Sequence, residues 1–407
     1  MKVIMKKIIS SILISLLACQ FIIAQTNAKF DGQIRQRFER GNKSFSDGAE
    51  ASSLNFLRTR FGSRFMLEKD VSGYIQVQDS RIYGMEFNTL SPTNNIDLHQ
   101  AYVSMNSIFD LPVDVKLGRM ETSFGPQRLV GTVGWHNVGR SFDGVLFNWH
   151  LKKSTISLFN FKLRETDSSN DENDNSLQGA YADLNIVDGQ TTHSFVIMER
   201  QSFTANLRRI TAGAFAKGKI GPFTHETEFA IQGARVEDLF ELAGKMAAVN
   251  LTYSMNGPSK TAFSAGVDYL SGANLSGNSN SIAFNTLFAT NHKYYGYMDY
   301  FLNLPRDTFG KGLKDLHAKM SFMPGSNTKA ASVLHIFKSS EDYILADGSS
   351  STSFGSEIDF TLNHKYSSNV SFVGGFSIFL PGDIFSEERG GNSLASWLYF
   401  STVVNLK

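Results

Sequence analysis

The residues best suited to chemistry lie in one stretch, 117–144, which reads LGRMETSFGPQRLVGTVGWHNVGRSFDG. It contains three arginines and a Trp-His-Asn trio, and it has no apolar face of its own. Guanidinium groups form charge-assisted, bidentate hydrogen bonds with carboxylates, so the stretch is suited to anionic solutes. His136, Ser141 and Asp143 could on paper form a nucleophilic triad, but short spacing within one glycine-rich loop is no evidence of triad geometry. The sequence therefore predicts a long loop that a larger scaffold must hold.

The remainder of the chain shows no signature of catalysis or of metal binding. Its nine histidines are scattered without an HExxH spacing, and no GxSxG elbow occurs. Cys19 is the only cysteine, which excludes a disulfide framework. The chain carries 39 basic and 38 acidic residues, a balance that does not favour nucleic acid. We therefore expect no enzyme, no metal or organic cofactor and no nucleic-acid partner.

The N-terminus has the pattern of a secretory signal peptide over residues 1–24. Three lysines precede an apolar run at 8–17, and Ala24 is a small residue suited to cleavage. An alternative is a lipoprotein cleavage box at 16–19, although the apolar run continues beyond it. After the signal, no run of about 18 apolar residues could form a membrane-spanning helix. The pattern predicts Sec-dependent export.

Alternation of apolar and polar residues with a period of two dominates from residue 30 to the end. Most alternating segments approach the 9–11 residues that a tilted strand needs to cross a bilayer, and we count about eighteen. Short and long connections alternate between them, as in outer-membrane barrels. The long connections are 41–53, 84–95, 121–141, 166–176, 271–312, 341–352 and 381–394.

These patterns predict an all-β fold: one transmembrane antiparallel β-barrel over residues 25–407, with short periplasmic turns and long extracellular loops. An even strand count places both termini in the periplasm of a bacterial outer-membrane protein. The aromatic segment 291–304 could be a further strand, but it would break the parity. We therefore place it inside the connection 271–312, where it can fold back over the pore. A soluble periplasmic β-protein is the alternative fold.

The two faces of the strands predict a lumen with walls of opposite charge. On the first three strands, alternation directs arginines inward, and we name this group the basic wall: Arg35, Arg37, Arg58, Arg60, Arg64 and Arg81. Later strands direct carboxylates inward, and we name this group the acidic wall: Glu226, Glu228, Asp268, Asp315, Glu357 and Asp359. Opposed walls give a transverse field that can select among charged solutes. The alternative is a static ion-pair network that plugs the barrel.

Aromatic residues near the strand ends are typical of the girdles at the two membrane interfaces. They are Tyr102, Trp149, Tyr181, Tyr253, Trp397 and Tyr399. Ordinary packing is an equal alternative, because alternation does not fix the height of a residue in the membrane.

The stretch 117–144 also resembles the alginate export family of outer-membrane barrels. The resemblance rests on LGR at 117–119, GPQRLVG at 125–131 and GWHNVGRSFDG at 134–144. Supporting matches are NFLRTR at 55–60 and TNHKYYG at 290–296. The family implies an eighteen-stranded monomeric barrel, and its founding member looks like a passive conduit for an anionic uronate polysaccharide. The resemblance implies a pore-lining role for Arg58, Arg60, Arg119, Arg128 and Arg140.

Within the loop, we expect Trp135, His136 and Asn137 to form a constriction, either by folding the loop or by stacking on a sugar. Arg119 shares its parity with Val115 and Leu117, so a position inside the pore requires a β-bulge. The acidic wall argues against a uniformly positive conduit.

Together these observations predict a passive outer-membrane channel for anionic or polyhydroxylated solutes, with export of an alginate-like polysaccharide as a candidate role. The alternative is a non-conducting barrel that acts as a receptor or as an assembly component of a polysaccharide system. The expected partners are outer-membrane lipid and lipopolysaccharide, the anionic solute or polysaccharide, and periplasmic secretion components. We expect a monomer.

Overall fold

The computed structural model describes residues 28–91, 95–165, 174–202, 207–236, 239–273 and 283–406, with side chains throughout except at 236 and 239–243. The predicted signal peptide at 1–24 lies outside the described residues.

Eighteen β-strands account for most of the described chain. They are β1 (Ala28–Asn42), β2 (Ser52–Glu68), β3 (Val71–Ile82), β4 (Ile96–Met105), β5 (Val113–Met120), β6 (Phe142–His150), β7 (Ser154–Arg164), β8 (Asn175–Leu184), β9 (Gln190–Gln201), β10 (Leu207–Ile220), β11 (Phe223–Val236), β12 (Leu239–Ser254), β13 (Ala262–Leu270), β14 (Leu313–Gly325), β15 (Thr328–Ile344), β16 (Ser350–Lys365), β17 (Val370–Pro381) and β18 (Ala395–Leu406).

The strands form one closed antiparallel sheet. Each strand pairs with its neighbours in sequence, and β1 pairs with both β2 and β18, which closes the barrel. Closure leaves no unpaired edge, as a sheet in lipid requires. The prediction of an eighteen-stranded antiparallel barrel is therefore confirmed.

Alternation along the strands separates an apolar outer face from a polar inner face. On β1, Ile34 is 41% exposed whereas Arg35 is only 6% exposed. On β2, Phe61 is 51% exposed whereas Arg58 is buried. The outer face therefore suits lipid contact, and the inner face gathers charged groups in the lumen.

The two ends of the barrel differ in their connections. One end has only short connections, such as 69–70 between β2 and β3 and 221–222 between β10 and β11. The other end carries the long loops, although the predicted connection 341–352 shrinks to 345–349 because β15 and β16 extend into it. A short helix, α1 (Asp383–Arg389), lies in the loop between β17 and β18. None of the described helices is long and apolar enough to span a membrane.

The two longest loops fold into the barrel and create a core there. We name them the β5–β6 loop (121–141) and the β13–β14 loop, which is described at 271–273 and 283–312. Segment 291–304 of the second loop is not a strand: it starts with a 3-10 helix, Asn291–Lys293, and continues through turns. Its Tyr295 and Phe301 are almost completely buried. Rings from strands and loops join them in one aromatic cluster: Phe45, Phe337, Phe354, Phe379 and Phe385.

The prediction of aromatic girdles is wrong for most of the residues named. Trp397 and Tyr399 are 3% and 6% exposed and lie on the inner face, because their neighbours Leu398 and Phe400 occupy the outer one. Tyr181 is buried inside as well, and Tyr102 faces inward beside Arg64. Trp149 and Tyr253 are exposed on the outer face.

Candidate functional site

The centre of the basic wall is a pair of arginines placed directly opposite each other. Register pairs Arg35 on β1 with Arg58 on β2, an arrangement of like charges that is unfavourable by itself. The backbone of the β5–β6 loop relieves it. Arg35 donates to the carbonyl oxygens of Gly134 and His136 at 2.7 and 3.1 Å. Arg58 donates to the same two oxygens, each at 3.2 Å.

Arg37 binds the next part of the loop. It donates to the carbonyl oxygen of Trp135 at 2.5 Å, and its guanidinium carbon lies 4.0 Å from the indole centroid. Its Nε also lies 2.7 Å from the carboxylate of Glu39. The charge of Arg37 is thus partly compensated, and its hydrogen bond fixes the height of Trp135 in the barrel.

Arg60 completes this set of contacts further along the loop. It donates to the carbonyl oxygen of Val138 at 2.9 Å and to the carboxylate of Glu121 at 2.9 Å. Glu121 also lies 2.8 Å from His99 Nε2. Burial raises the pKa of Glu121, but the hydrogen bond to His99 and the charge of Arg60 outweigh this, and the pKa lies below its ordinary value. Glu121 is therefore a stable anion at the start of the loop.

Arg128 connects the β5–β6 loop to the acidic wall. It forms ion pairs with Asp268 and, at 3.5 Å, with Glu228, and both carboxylates are nearly inaccessible. Burial lowers the pKa of Arg128, but Asp268 and Tyr295 raise it above the ordinary value. The ring of Tyr294, from the β13–β14 loop, lies 3.8 Å from the guanidinium carbon. Arg128 thus fixes the loop to the opposite side of the lumen.

The two infolded loops are joined by backbone hydrogen bonds. Val130 and Phe288 form a parallel bridge, in which Gly131 N–H donates to Phe288 O at 2.9 Å and Phe288 N–H to Leu129 O at 2.8 Å. Arg140 reinforces the joint, because its guanidinium donates to the carbonyl oxygens of Gly131, Phe288 and Ala289. The constriction is therefore one unit made from both loops.

The predicted constriction residues lie at this joint. Trp135 stacks on His292 with centroids 4.6 Å apart and planes within 9°, and Tyr399 meets it edge-on at 4.8 Å. Asn137 donates to two strand carbonyls, Leu57 O at 3.2 Å and Arg81 O at 3.3 Å. Protein groups already cover the indole, which favours loop folding over sugar stacking as its role.

His136 is one of the titratable groups at the joint. Its Nδ1 accepts a hydrogen bond from Val138 N–H at 3.2 Å. Burial, then Arg37 and Arg35, lower its pKa from the ordinary value of 6.5. A neutral imidazole therefore suits this cationic surrounding.

Three cations of the constriction have no carboxylate partner among the described residues: Arg35, Arg58 and Arg140. All of their acceptors are carbonyl or amide oxygens, which satisfy the N–H groups without cancelling the charge. Burial lowers the pKa of Arg140 to about 10, which still leaves it protonated at neutral pH. The constriction therefore keeps a net positive charge on the basic side.

A second basic group lies closer to the short-turn end. Arg64 donates to the hydroxyl of Tyr102 at 3.0 Å and lies 5.0 Å from the ring of Tyr74. Lys116 of β5 lies 5.4 Å from the ring of Tyr102. The sequence analysis missed Lys116, although its parity, opposite to that of Leu117, places it inside.

The prediction that Arg119 lines the pore is wrong. Arg119 lies on the outer face with Leu117, where its Nη1 pairs with Asp143 Oδ2 at 2.8 Å, and the two side chains are 38% and 55% exposed. Register sets the two residues opposite each other on β5 and β6. No bulge turns Arg119 inward, so strand alternation decides its position.

The charges of Arg81 and Glu226 are neutralised by ion pairs with neighbouring residues. Arg81 pairs with Asp79 on the same strand and with Glu86 at 3.6 Å. Glu226 pairs with Lys217 at 2.5 Å. Neither residue brings net charge to the constriction.

The remaining acidic-wall residues are buried behind the β13–β14 loop. Asp315 accepts from His335 Nδ1 at 2.9 Å, and Asp359 accepts from the hydroxyl of Ser377. Glu357 accepts from Met298 N–H at 2.8 Å, which fixes the loop to this wall.

The residues considered for a triad are not brought together. Ser141 Oγ donates to the carbonyl oxygen of His99 at 2.6 Å, His136 bonds within its own loop, and Asp143 pairs with Arg119 outside the barrel. This geometry gives no support to nucleophilic catalysis.

Solved structures with the same fold are outer-membrane proteins of Pseudomonas aeruginosa. OccK8 (OprE) is 11% identical with a TM-score of 0.59, covering 93% of this chain and 98% of its own. OccD3 (OpdP) is also 11% identical, with a TM-score of 0.60 and coverages of 93% and 91%. OpdK, solved with vanillate, is 11% identical with a TM-score of 0.55 and coverages of 93% and 98%. At this identity the likeness shows the fold alone.

No curated protein matches the chain in sequence. The family model described as alginate export matches residues 26–398, which is nearly the whole chain. The chain therefore belongs to the alginate export family.

Proposed function

We propose that the protein is a passive outer-membrane channel selective for anionic or polyhydroxylated solutes, with an alginate-like anionic polysaccharide as a candidate for export. Its family and its porin-like barrel support an outer-membrane channel. The observation that carries the selectivity is the set of cations without carboxylate partners among the described residues, Arg35, Arg58 and Arg140, which bind the infolded loops.

The magnitude of the field favours anions at this height. At an effective dielectric constant of about 20, a unit anion about 6 Å from one such charge gains about 3 kcal/mol. Buried cations that bind neutral acceptors are costly to keep, so their retention favours a role in solute passage. Arg64 and Lys116 extend the positive surface towards the short-turn end.

The acidic wall should confine an anionic solute to the basic side without strongly repelling it. Arg128 neutralises part of the charge on Glu228 and Asp268, and the β13–β14 loop covers Glu357. A carboxylate-bearing solute would therefore pass along the basic side. Hydroxyl groups of a sugar would find carbonyl, amide and tyrosine partners there.

Single-channel recording in planar bilayers tests this proposal. Under a salt gradient, the reversal potential should show anion preference, and Arg58→Ala with Arg60→Ala should reduce it. Arg119→Ala is the matched control, because it removes an arginine from the outer face of the same barrel. Cation preference, or equal loss of preference in the control, would count against the proposal.

A non-conducting barrel is the second candidate, and the backbone joint between the two loops favours it. Hydrogen bonds from Gly131 and Phe288, with Arg140 across them, could hold the lumen shut. This candidate predicts closed channels and a partner bound by the long loops. Planar-bilayer recording of the wild-type barrel separates the two candidates: discrete conductance steps support the channel, and their absence from folded protein supports the non-conducting barrel.

The remaining expectations belong to this proposal. We propose Sec-dependent export, periplasmic termini, a monomer embedded among outer-membrane lipid and lipopolysaccharide, and contact with periplasmic secretion components. Catalytic activity is not proposed.

A further inference from the structure

We propose that the acidic wall holds a site for a divalent cation of the zinc class, formed by Asp315, His317 and His335. One ligand atom from each side chain lies within 4.8 Å of the other two. This inference is independent of which solute the channel carries.

The barrel register brings the three ligands together. Asp315 and His317 lie two residues apart on β14, so both point into the lumen, and His335 on β15 is directly opposite His317. Asp315 Oδ2 lies 2.9 Å from His335 Nδ1 and 3.5 Å from His317 Nδ1. Ligand atoms around a tetrahedral zinc ion are about 3.4 Å apart, so the separation of 3.5 Å fits directly and the separation of 2.9 Å needs to widen by about 0.5 Å.

Two polar atoms at the cluster have no hydrogen-bond partner among the described residues. One is His317 Nδ1, which faces Asp315, and the other is Asp359 Oδ2, on a carboxylate that is only 1% exposed. Asp359 Oδ2 lies 4.0 Å from His335 Nε2, on the far side of the imidazole from Asp315. A carboxylate behind a ligating histidine is the usual outer partner that orients the ring and increases its basicity.

The negative charge of the buried carboxylates around the cluster also favours binding of a cation. Asp268, Asp315, Glu357 and Asp359 are each no more than 1% exposed, and Arg128 is the one arginine or lysine that forms an ion pair with any of them among the described residues. Buried carboxylates that no cation neutralises are costly even when they accept hydrogen bonds, and a bound metal ion is a standard solution.

The site is reachable and its donor set is selective. His317 and His335 line a cavity of about 350 Å³ between the wall and the β13–β14 loop. That cavity leaves room for a fourth ligand, such as water. Two imidazoles and one carboxylate suit zinc, copper and nickel, whereas calcium and magnesium prefer all-oxygen sites.

The test is titration of the tag-free, chelator-treated barrel in detergent with Zn²⁺ by calorimetry and with Co²⁺ by visible absorption. One equivalent should bind, Co²⁺ should give the intense bands of a four-coordinate site, and Ca²⁺ and Mg²⁺ should not compete. His317→Ala should abolish the spectrum while keeping the fold, because the variant loses no hydrogen bond of His317 Nδ1 and only its 3.5 Å contact with Asp315. Asp359→Asn should weaken Zn²⁺ binding by about tenfold.

His225→Ala is the matched control, since His225 shares the outer face of β11 with Phe223 and Phe229 and should not affect binding. Heat-modifiable migration on gels verifies that each variant is a folded barrel. The proposal is overturned if folded wild-type protein gives no Co²⁺ bands, if Ca²⁺ competes equally, or if His317→Ala binds Zn²⁺ as tightly as wild type.

Discussion

The basic and acidic walls solve the problem of buried charge in opposite ways. Arg35 and Arg58 give their hydrogen bonds to neutral carbonyl oxygens of the β5–β6 loop, so their charge persists. Asp268 and Asp315 instead meet charged or titratable partners, Arg128 and His335. The first wall therefore keeps its positive charge, whereas on the second wall Asp268 uses its charge to hold Arg128 of the β5–β6 loop. A hydrogen bond to a neutral acceptor satisfies a charged donor without neutralising it. In this barrel the basic wall has such hydrogen bonds, whereas the acidic wall has charge-neutralising pairs.

The largest expected effect is on the acidic side. Arg128→Met leaves Asp268 and Glu228 buried without their cation, which should destabilise the docked loop by about 3–5 kcal/mol. Limited proteolysis within 121–141 and denaturant unfolding measure this change. Adding Asp268→Asn and Glu228→Gln should restore most of the loss. If the triple variant is no better than Arg128→Met alone, packing and not charge dominates there.

On the basic side, the main effect should be on selectivity. Arg35→Gln with Arg58→Gln keeps hydrogen-bond donors for Gly134 and His136 but removes two charges. The reversal potential under a salt gradient should move substantially towards zero, with little change in the unfolding midpoint. An unchanged potential would mean that the persistent charge of this wall is not sensed by the solute.

Acidification should weaken the docking of the β5–β6 loop on the basic side. The pKa of His136 is lowered in the docked loop, so the undocked loop binds more protons below pH 6.5, and docking weakens as the pH falls through that range. Proteolysis within 121–141 should therefore be faster at pH 5 than at pH 7.5. Glu121, whose pKa is lowered, stays ionised over this window. His136→Gln should abolish the pH dependence; its persistence in that variant would assign the titration to another group.

The smallest effect is expected outside the barrel. Arg119→Gln breaks an exposed ion pair with Asp143, which should cost less than about 1 kcal/mol and leave ion selectivity unaltered. Unfolding and reversal potential are the readouts. A large shift in the ion selectivity of Arg119→Gln would mean that Arg119 acts on solutes in the pore. It would also contradict the contrast between the two walls.

Strand alternation is what made the fold predictable. The segment from Leu54 to Leu67 places arginines and apolar residues on opposite faces by period alone, and the structure agrees. The same rule would have placed Trp397 and Tyr399 inside and Arg119 outside. Residue type predicted an interface position for Trp397 and Tyr399, and motif position predicted a pore position for Arg119. In both cases the alternation of the strand determined which face the side chain occupies.

The contacts of the loops could not be predicted in this way. Arg128 and Asp268 are 140 positions apart, and the loop between β5 and β6 has no period that fixes where its side chains point. The pairing of the loop carbonyls with Arg35 and Arg58 involves backbone atoms, which carry no sequence signal. His317 and His335 become neighbours only through the β14–β15 register.

The register that sets Arg35 opposite Arg58 also limits how this chain can vary. Surface loops are normally the segments that accept insertions and exchanges, because little else depends on them. Here the first hairpin depends on the loop tip at 134–138 to tolerate its own like charges. Grafting a foreign loop between β5 and β6 should therefore require compensating changes in β1 and β2. The loop tip at 134–138 and the β1–β2 hairpin should therefore change together in sequence, although about a hundred residues separate them.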